Sequence, residues 1–153
     1  MAKSHEEKQF VQMSGEFGVV SELFRRGMSA TLTYGNSKSA DVYVLSRDCS
    51  RAVKVEVKST VEKTGWVISS QAAKPAKHIV WVFAYLPDAS DPETPADVGA
   101  IGMAAPRYYI LTSDEVHNLY QPKLANVGPI KFSIGEVQNG FNAWHKVRQA
   151  SEK

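Results

Sequence analysis

Glu56 and Lys58 stand two residues apart in the run Ala52-Val53-Lys54-Val55-Glu56-Val57-Lys58, and Asp41 opens an earlier run, Ala40-Asp41-Val42-Tyr43-Val44-Leu45. Residues 53–58 alternate strictly, so a strand here puts Val53, Val55 and Val57 on one face and Lys54, Glu56 and Lys58 on the other. A carboxylate and an ammonium sharing a face of a valine-rich strand must be compensated by pairing, by solvent or by a metal. Two neighbouring strands bearing Asp41 at one end and Glu56-x-Lys58 on the other describe a cation site. Magnesium prefers oxygen ligands at about 2.0–2.1 Å and is commonly held by one or two carboxylates with waters and substrate phosphate. Asp41 and Glu56 supply the carboxylates and the Val57 carbonyl lies beside them. Lys58 is placed to orient a water or to stabilise charge developing on a phosphate. Such chemistry needs no covalent nucleophile.

The elements that must position these groups are readable in outline. A helix is signalled from Ser14, with Glu16 in its first turn, Val19, Val20, Leu23 and Phe24 as its apolar stripe, Arg25 and Arg26 in its last turn, and Gly27 to end it. Glu16 shares the stripe by spacings of three, four and seven and so faces the sheet. Glu22 lies roughly 240° further round at about 100° per residue and points to solvent. Glu16 thus joins the candidates, although an acid in a first helical turn also simply complements the helix dipole. Strands are expected at residues 30–34, 40–45, 52–58, 79–86 and 107–111, with a short apolar piece at Trp66-Val67-Ile68. The run 79–86 is apolar throughout, the pattern of a strand buried on both faces. A short helix is expected within 69–77, another from Ser113 to about Tyr120, and a last one over 135–150. Residues 87–106 hold four prolines and the acids Asp88, Asp91, Glu93 and Asp97 without periodicity, which reads as a flap or a disordered segment. The expected organisation is a loose tail over 1–12 and one α/β domain over 13–150, a mixed central sheet flanked by helices.

Ser14-Gly15-Glu16-Phe17-Gly18-Val19-Val20-Ser21-Glu22-Leu23-Phe24-Arg25-Arg26-Gly27, then Gly35-Asn36-Ser37-Lys38-Ser39-Ala40-Asp41, then Val55-Glu56-Val57-Lys58-Ser59 resembles the PD-(D/E)XK nuclease superfamily. The likeness is to small stand-alone bacterial or phage members and, more distantly, to archaeal Holliday-junction resolvases. It covers residues 14–60 well and the remainder loosely. Ala40 stands where the named motif has proline, as in many members. The resemblance implies a restriction-endonuclease-like core in which Glu16, Asp41, Glu56 and Lys58 are catalytic, with Glu16, Asp41, Glu56 and the Val57 carbonyl around Mg2+, which Mn2+ can replace. It also matches Gln71 to an assisting position, though an exposed glutamine on a short helix needs no function. Asn36, Lys38, Lys74 and Lys77 are candidates for touching nucleic acid, and all four are also ordinary turn or surface residues.

Other signals carry little. Gly35-Asn36-Ser37-Lys38-Ser39 lacks the glycines of a phosphate loop, His5, His78, His117 and His145 have no zinc spacing, and Trp66, Trp81 and Trp144 recur as core residues do. The chain of 153 residues suits one domain, and no apolar run approaches the roughly 18 residues of a membrane span. Cys49 is the single cysteine, which excludes an intrachain disulfide and fits a cytoplasmic protein. A net charge of +2 is too small to argue for nucleic acid, but the acidic 87–98 stretch leaves the rest of the chain more basic. These readings converge on a metal-dependent nuclease hydrolysing phosphodiester bonds of DNA, an endonuclease, with RNA open as substrate and a homodimer as one way to place two sites on a duplex. The rival is a catalytically silent nuclease-like fold that binds nucleic acid or a protein.

Overall fold

Helix α1, His5–Arg25, is set at its start by a capping box. Ser4 Oγ accepts from Glu7 N at 3.1 Å while Glu7 Oε2 accepts from Ser4 N at 2.6 Å. The expected helix start at Ser14 and, over its described residues, the expected loose tail of 1–12 are therefore corrected: the chain is helical from His5 onward, because Ser4-x-x-Glu7 is the stronger cap. The computed structural model describes residues 4–33, 40–87 and 105–153. Asn36, Lys38 and most of the 87–106 segment lie outside the described residues.

At its other end α1 stops at Gly27, whose φ of +73° favours a residue without a Cβ. The Arg148 guanidinium donates to the Arg26 and Gly27 carbonyls at 3.2 Å each, so the last helix of the chain caps the first. Five strands follow in one sheet: β1 Ala30–Leu32, β2 Val42–Leu45, β3 Ala52–Thr60, β5 Ile79–Tyr85 and β6 Arg107–Thr112, in the order β1-β2-β3-β5-β6. All neighbours are antiparallel except β3 and β5, which run parallel. A parallel pair needs a crossover, and this one carries β4 (Trp66–Val67) and a 3-10 turn, Ser70–Ala73. The sheet is mixed and flanked by helices.

Strand β5 divides its side chains cleanly. Val80, Val82 and Ala84 join Val53, Val55, Val57, Val19 and Leu23 beneath α1 and α4 (His145–Glu152), whereas Trp81, Phe83 and Tyr85 join Trp66, Tyr109 and Phe132 on the opposite face. All six β5 residues from Val80 to Tyr85 are buried, as the unbroken apolar run requires. The three tryptophans are core residues, each at most 3% exposed. Trp66 packs edge-on against Phe83 with ring centres 5.4 Å apart.

Two departures concern the C-terminal third. The expected single helix over 135–150 is instead α3 (Ile134–Val137), a 3-10 turn at Gln138–Gly140 and α4, separated by Asn142 at φ +51°. The break follows from Gly140, where a Cβ would stand 2.6 Å from the Ile110 carbonyl, so the chain must turn tightly against β6. Residues Lys131–Phe132 form an unexpected strand, β7, which pairs with β4 as a separate two-stranded ribbon. Helix α2, Ser113–Tyr120, is as expected and is capped by Thr112. None of the described helices is long and apolar enough to cross a membrane.

Candidate metal centre

Strand β2 begins at Val42, which pairs with Val55, so among the described residues no strand covers the β2-facing edge of β3 from Val57 onward. A buried strand edge must still satisfy its N–H and C=O groups, and here side chains do it. The Val57 N–H donates to Asp41 Oδ2 at 2.8 Å, and the Val57 carbonyl accepts from Gln12 Nε2 at 3.1 Å. The same Gln12 nitrogen donates to Glu16 Oε1 at 2.7 Å. Asp41, Val57, Gln12 and Glu16 are thus tied together at the place where β2 runs out, although they come from distant parts of the chain.

Glu56 adds a third carboxylate. Its side chain is 7% exposed and accepts no hydrogen bond among the described residues. Its carboxyl is pushed up to about 6, chiefly by burial and next by the negative charge of Asp41, against the pull of Lys58 and Lys54 and with a further push from Glu16. Glu16 is itself raised, by burial first, while its bond from Gln12 lowers it and the charge of Asp41 raises it. Three carboxylates therefore repel one another within one neighbourhood. Lys58 Nζ lies 6.0 Å from the ring centre of Trp81, and Trp81 is the residue paired with Glu56 across β3 and β5. The ammonium thus leans back along the strand toward the level of Glu56.

The donor set consists only of hard oxygens. Among the described residues Asp41 keeps Oδ1, Glu16 keeps Oε2, the Val57 carbonyl keeps its second lone pair, and the Glu56 carboxylate accepts no hydrogen bond. That composition suits magnesium or manganese and not zinc or copper. Among the described residues no three of His, Cys, Asp and Glu form a ready-made cage. The fit is therefore to two carboxylates and a carbonyl completed by water, a common arrangement for magnesium.

The remaining expected residues stand apart. Gln71 sits exposed on the turn Ser70–Ala73, its amide oxygen 3.5 Å from Ser69 Oγ, with no contact to the acidic group. Lys74 and Lys77 are exposed. Lys77 lines a cleft of about 570 Å3 with His78, Ser113, Asp114, Lys146 and Lys153, near the start of β5, and no member of the acidic group lines it. Glu22 is pinned by Arg25 at 2.8 Å and by Arg26, away from the acidic cluster.

Gln12 is the residue that the sequence reading does not find. Its spacing to Glu16, four positions along one helix, is the available signal, and a helix start placed at Ser14 hides it. Gln12→Ala removes two hydrogen bonds and leaves the Val57 carbonyl without a donor. The expected cost is about 1–2 kcal/mol in urea unfolding. The Glu16 carboxyl should titrate still higher in a carbon-detected NMR titration, since the bond from Gln12 is what pulls it down. An unmoved Glu16 titration would refute this assignment of the bridge.

No family model and no curated protein matches the chain. Among solved structures, one described as a bacterial homing endonuclease, I-Ssp6803I, superposes with a TM-score of 0.57 at 13% sequence identity, over 99% of this chain and 96% of that one. At that identity the likeness speaks for the fold.

Proposed function

We propose that this protein is a metal-dependent nuclease of the PD-(D/E)XK type that hydrolyses phosphodiester bonds in DNA. The reading rests above all on Glu56, a buried carboxylate that accepts no hydrogen bond among the described residues and lies within the fields of Asp41 and Lys58. Burying such a charge is costly unless a cation compensates it. The likeness in fold to a homing endonuclease agrees with a DNA substrate.

Asp41, Glu56 and the Val57 carbonyl would hold the ion, and Glu16, steadied by Gln12, would fix it through water. A divalent cation held there would supply polarisation of the scissile phosphate and a lowered pKa of its bound water. Lys58 orients the attacking water by hydrogen bonding and stabilises the extra negative charge as the oxygen–phosphorus bond forms and the bond to the leaving oxygen breaks. Asp41 is oriented for its part by the Val57 N–H, which occupies one carboxylate oxygen and leaves the other free of it.

The test is cleavage of plasmid, branched DNA and single-stranded RNA with Mg2+ or with EDTA. Lys58→Ala and Asp41→Ala are each expected to lose at least about 100-fold in rate, as for the removal of a group that stabilises developing charge. Equal cutting by both variants and wild type would defeat the proposal. Manganese calorimetry separates the rival reading, a silent nucleic-acid-binding module: the nuclease binds manganese and loses that binding in Asp41→Ala, whereas the silent module shows no manganese binding to lose.

A further inference from the structure

Helix α1 turns a second apolar ridge outward. Phe10, Phe17 and Phe24 are 62%, 53% and 57% exposed. They recur every seven residues, and Met13 and Val20, both half-buried, fall between them, Val20 at the edge where the ridge meets the chain's own core. The series Phe10, Met13, Phe17, Val20, Phe24 alternates steps of three and four, the spacing of a helix–helix seam. At about 100° per residue the phenylalanines lie roughly 130° away from the line through Glu16, Val19 and Leu23 that meets the sheet. The expectation that Phe24 belongs to the core stripe is corrected accordingly. Ser14 and Ser21, small and exposed, border the ridge.

We infer that this ridge binds the same ridge of a second copy of the chain, antiparallel, about a two-fold axis near Phe17. Three observations select that occupant. The spacing fits another α-helix, and an antiparallel two-fold at Phe17 brings Phe10 of each copy onto Phe24 of the other, so the surface is self-complementary. The helix ends differ in charge: the first turns carry Glu6 and Glu7 with Lys8, the last carries Arg25 and Arg26 with Glu22. Antiparallel pairing sets these unlike ends together and opposes the helix dipoles, whereas parallel pairing sets like ends together. Finally, every residue from His5 to Phe10 is exposed, so nearly two turns of α1 extend beyond the chain's own body. Turns without tertiary support are marginal in water. In the pair they rest on the C-terminal half of the partner helix.

The size is adequate. Phenylalanine surface of roughly 350 Å2 per copy lies at the scale of a functional patch on a monomer. Two such ridges, with Met13, Val20 and the serines, approach the roughly 1,200 Å2 of a specific interface.

Sedimentation equilibrium of the full chain at micromolar concentration is expected to give twice the chain mass of 16.9 kDa. The double variant Phe17→Lys, Phe24→Lys should weaken the dimer at least about 100-fold while its far-UV circular dichroism keeps the helix content. Leu124→Lys, at another exposed apolar residue, should leave the mass unchanged. In a Cys49→Ser background, oxidation should cross-link Phe17→Cys to itself and Phe10→Cys to Phe24→Cys, but not Phe10→Cys to itself. A monomeric wild type, or a dimer indifferent to the lysines, overturns the interface; self-linking at position 10 overturns its antiparallel sense. Mass and cross-linking do not depend on cleavage, so they stand or fall separately from the nuclease proposal.

Discussion

Glu56→Gln is expected to abolish metal-dependent cleavage and, in metal-free buffer at pH 8, to make the protein harder to unfold. The two effects have one cause. Burial, the charge of Asp41 and the charge of Glu16 lift the Glu56 carboxyl from its ordinary 4.5 to about 6. Between those values the folded protein binds more protons than the unfolded chain, so stability falls as pH rises through the window and stays at the lower level above it. A shift of that size corresponds to about 2 kcal/mol at most, and on the order of 1 kcal/mol after solvent screening. Glutamine keeps the shape and loses the charge, so at pH 8 the variant should melt roughly 2–4 °C higher. Near pH 4.5, where most of that penalty is relieved by protonation of the folded wild type, the two proteins should converge. Magnesium should reverse the order at pH 8, because a ligand that binds only the folded wild type stabilises it by mass action. Thermal melts at the two pH values, with and without Mg2+, check every part of this. A variant less stable than wild type at pH 8 without metal would show that the carboxylate is already compensated by the protein, and the case for a cation would lose its main support.

The strands β2 and β3 were legible because period-two patterning marks them over a short local stretch, and β5 because its apolar run is unbroken. The buried position of Glu16 on α1 was legible through its phase relative to Val19 and Leu23. What was not legible shares a physical origin in long-range contact. Gln12 acts on Val57, 45 residues away, and nothing local marks a glutamine as the donor for a strand edge uncovered by the end of a neighbouring strand. Strand β7 is two residues long and exists only because β4 lies beside it. The break in the last helix comes from the approach of Gly140 to the Ile110 backbone, again across the fold. The start of α1 is different: Ser4 and Glu7 carry a local capping box, but the charged residues around them resemble a solvated tail in composition. Placing the start too late has a consequence, since it puts Gln12 outside the helix and leaves Phe10 out of register with Phe17 and Phe24.

Gly15→Ala tests the remaining link, between helix packing and the geometry of the site. Alanine is the better helix former by about 1 kcal/mol in a helix interior, so a glycine kept there needs a reason. The reason is contact with β3: a Cβ on Gly15 would meet Ser59 Oγ at 1.8 Å and Ser59 Cβ at 2.9 Å. The hydroxyl can rotate away, and it is buried with no hydrogen-bond partner among the described residues, so moving it costs little. The Cβ–Cβ approach cannot be relieved by rotation, and α1 must withdraw from the strand. Overpacking of this kind costs about 1–3 kcal/mol, which outweighs or cancels the propensity gain, and a net destabilisation of about 1 kcal/mol is expected. Activity should suffer more than stability. Glu16 follows Gly15 directly and Gln12 lies one turn before it, so a shift of α1 by a fraction of an ångström to an ångström carries both away from Val57, and such misplacement is worth about 100-fold in rate. Ser59→Gly removes the opposing Cβ. In a double-mutant cycle the pair Gly15→Ala, Ser59→Gly should therefore recover cleavage that Gly15→Ala loses, with a favourable coupling of about 1–2 kcal/mol in unfolding. Additive losses in both measurements would mean that the helix does not set the site through this contact.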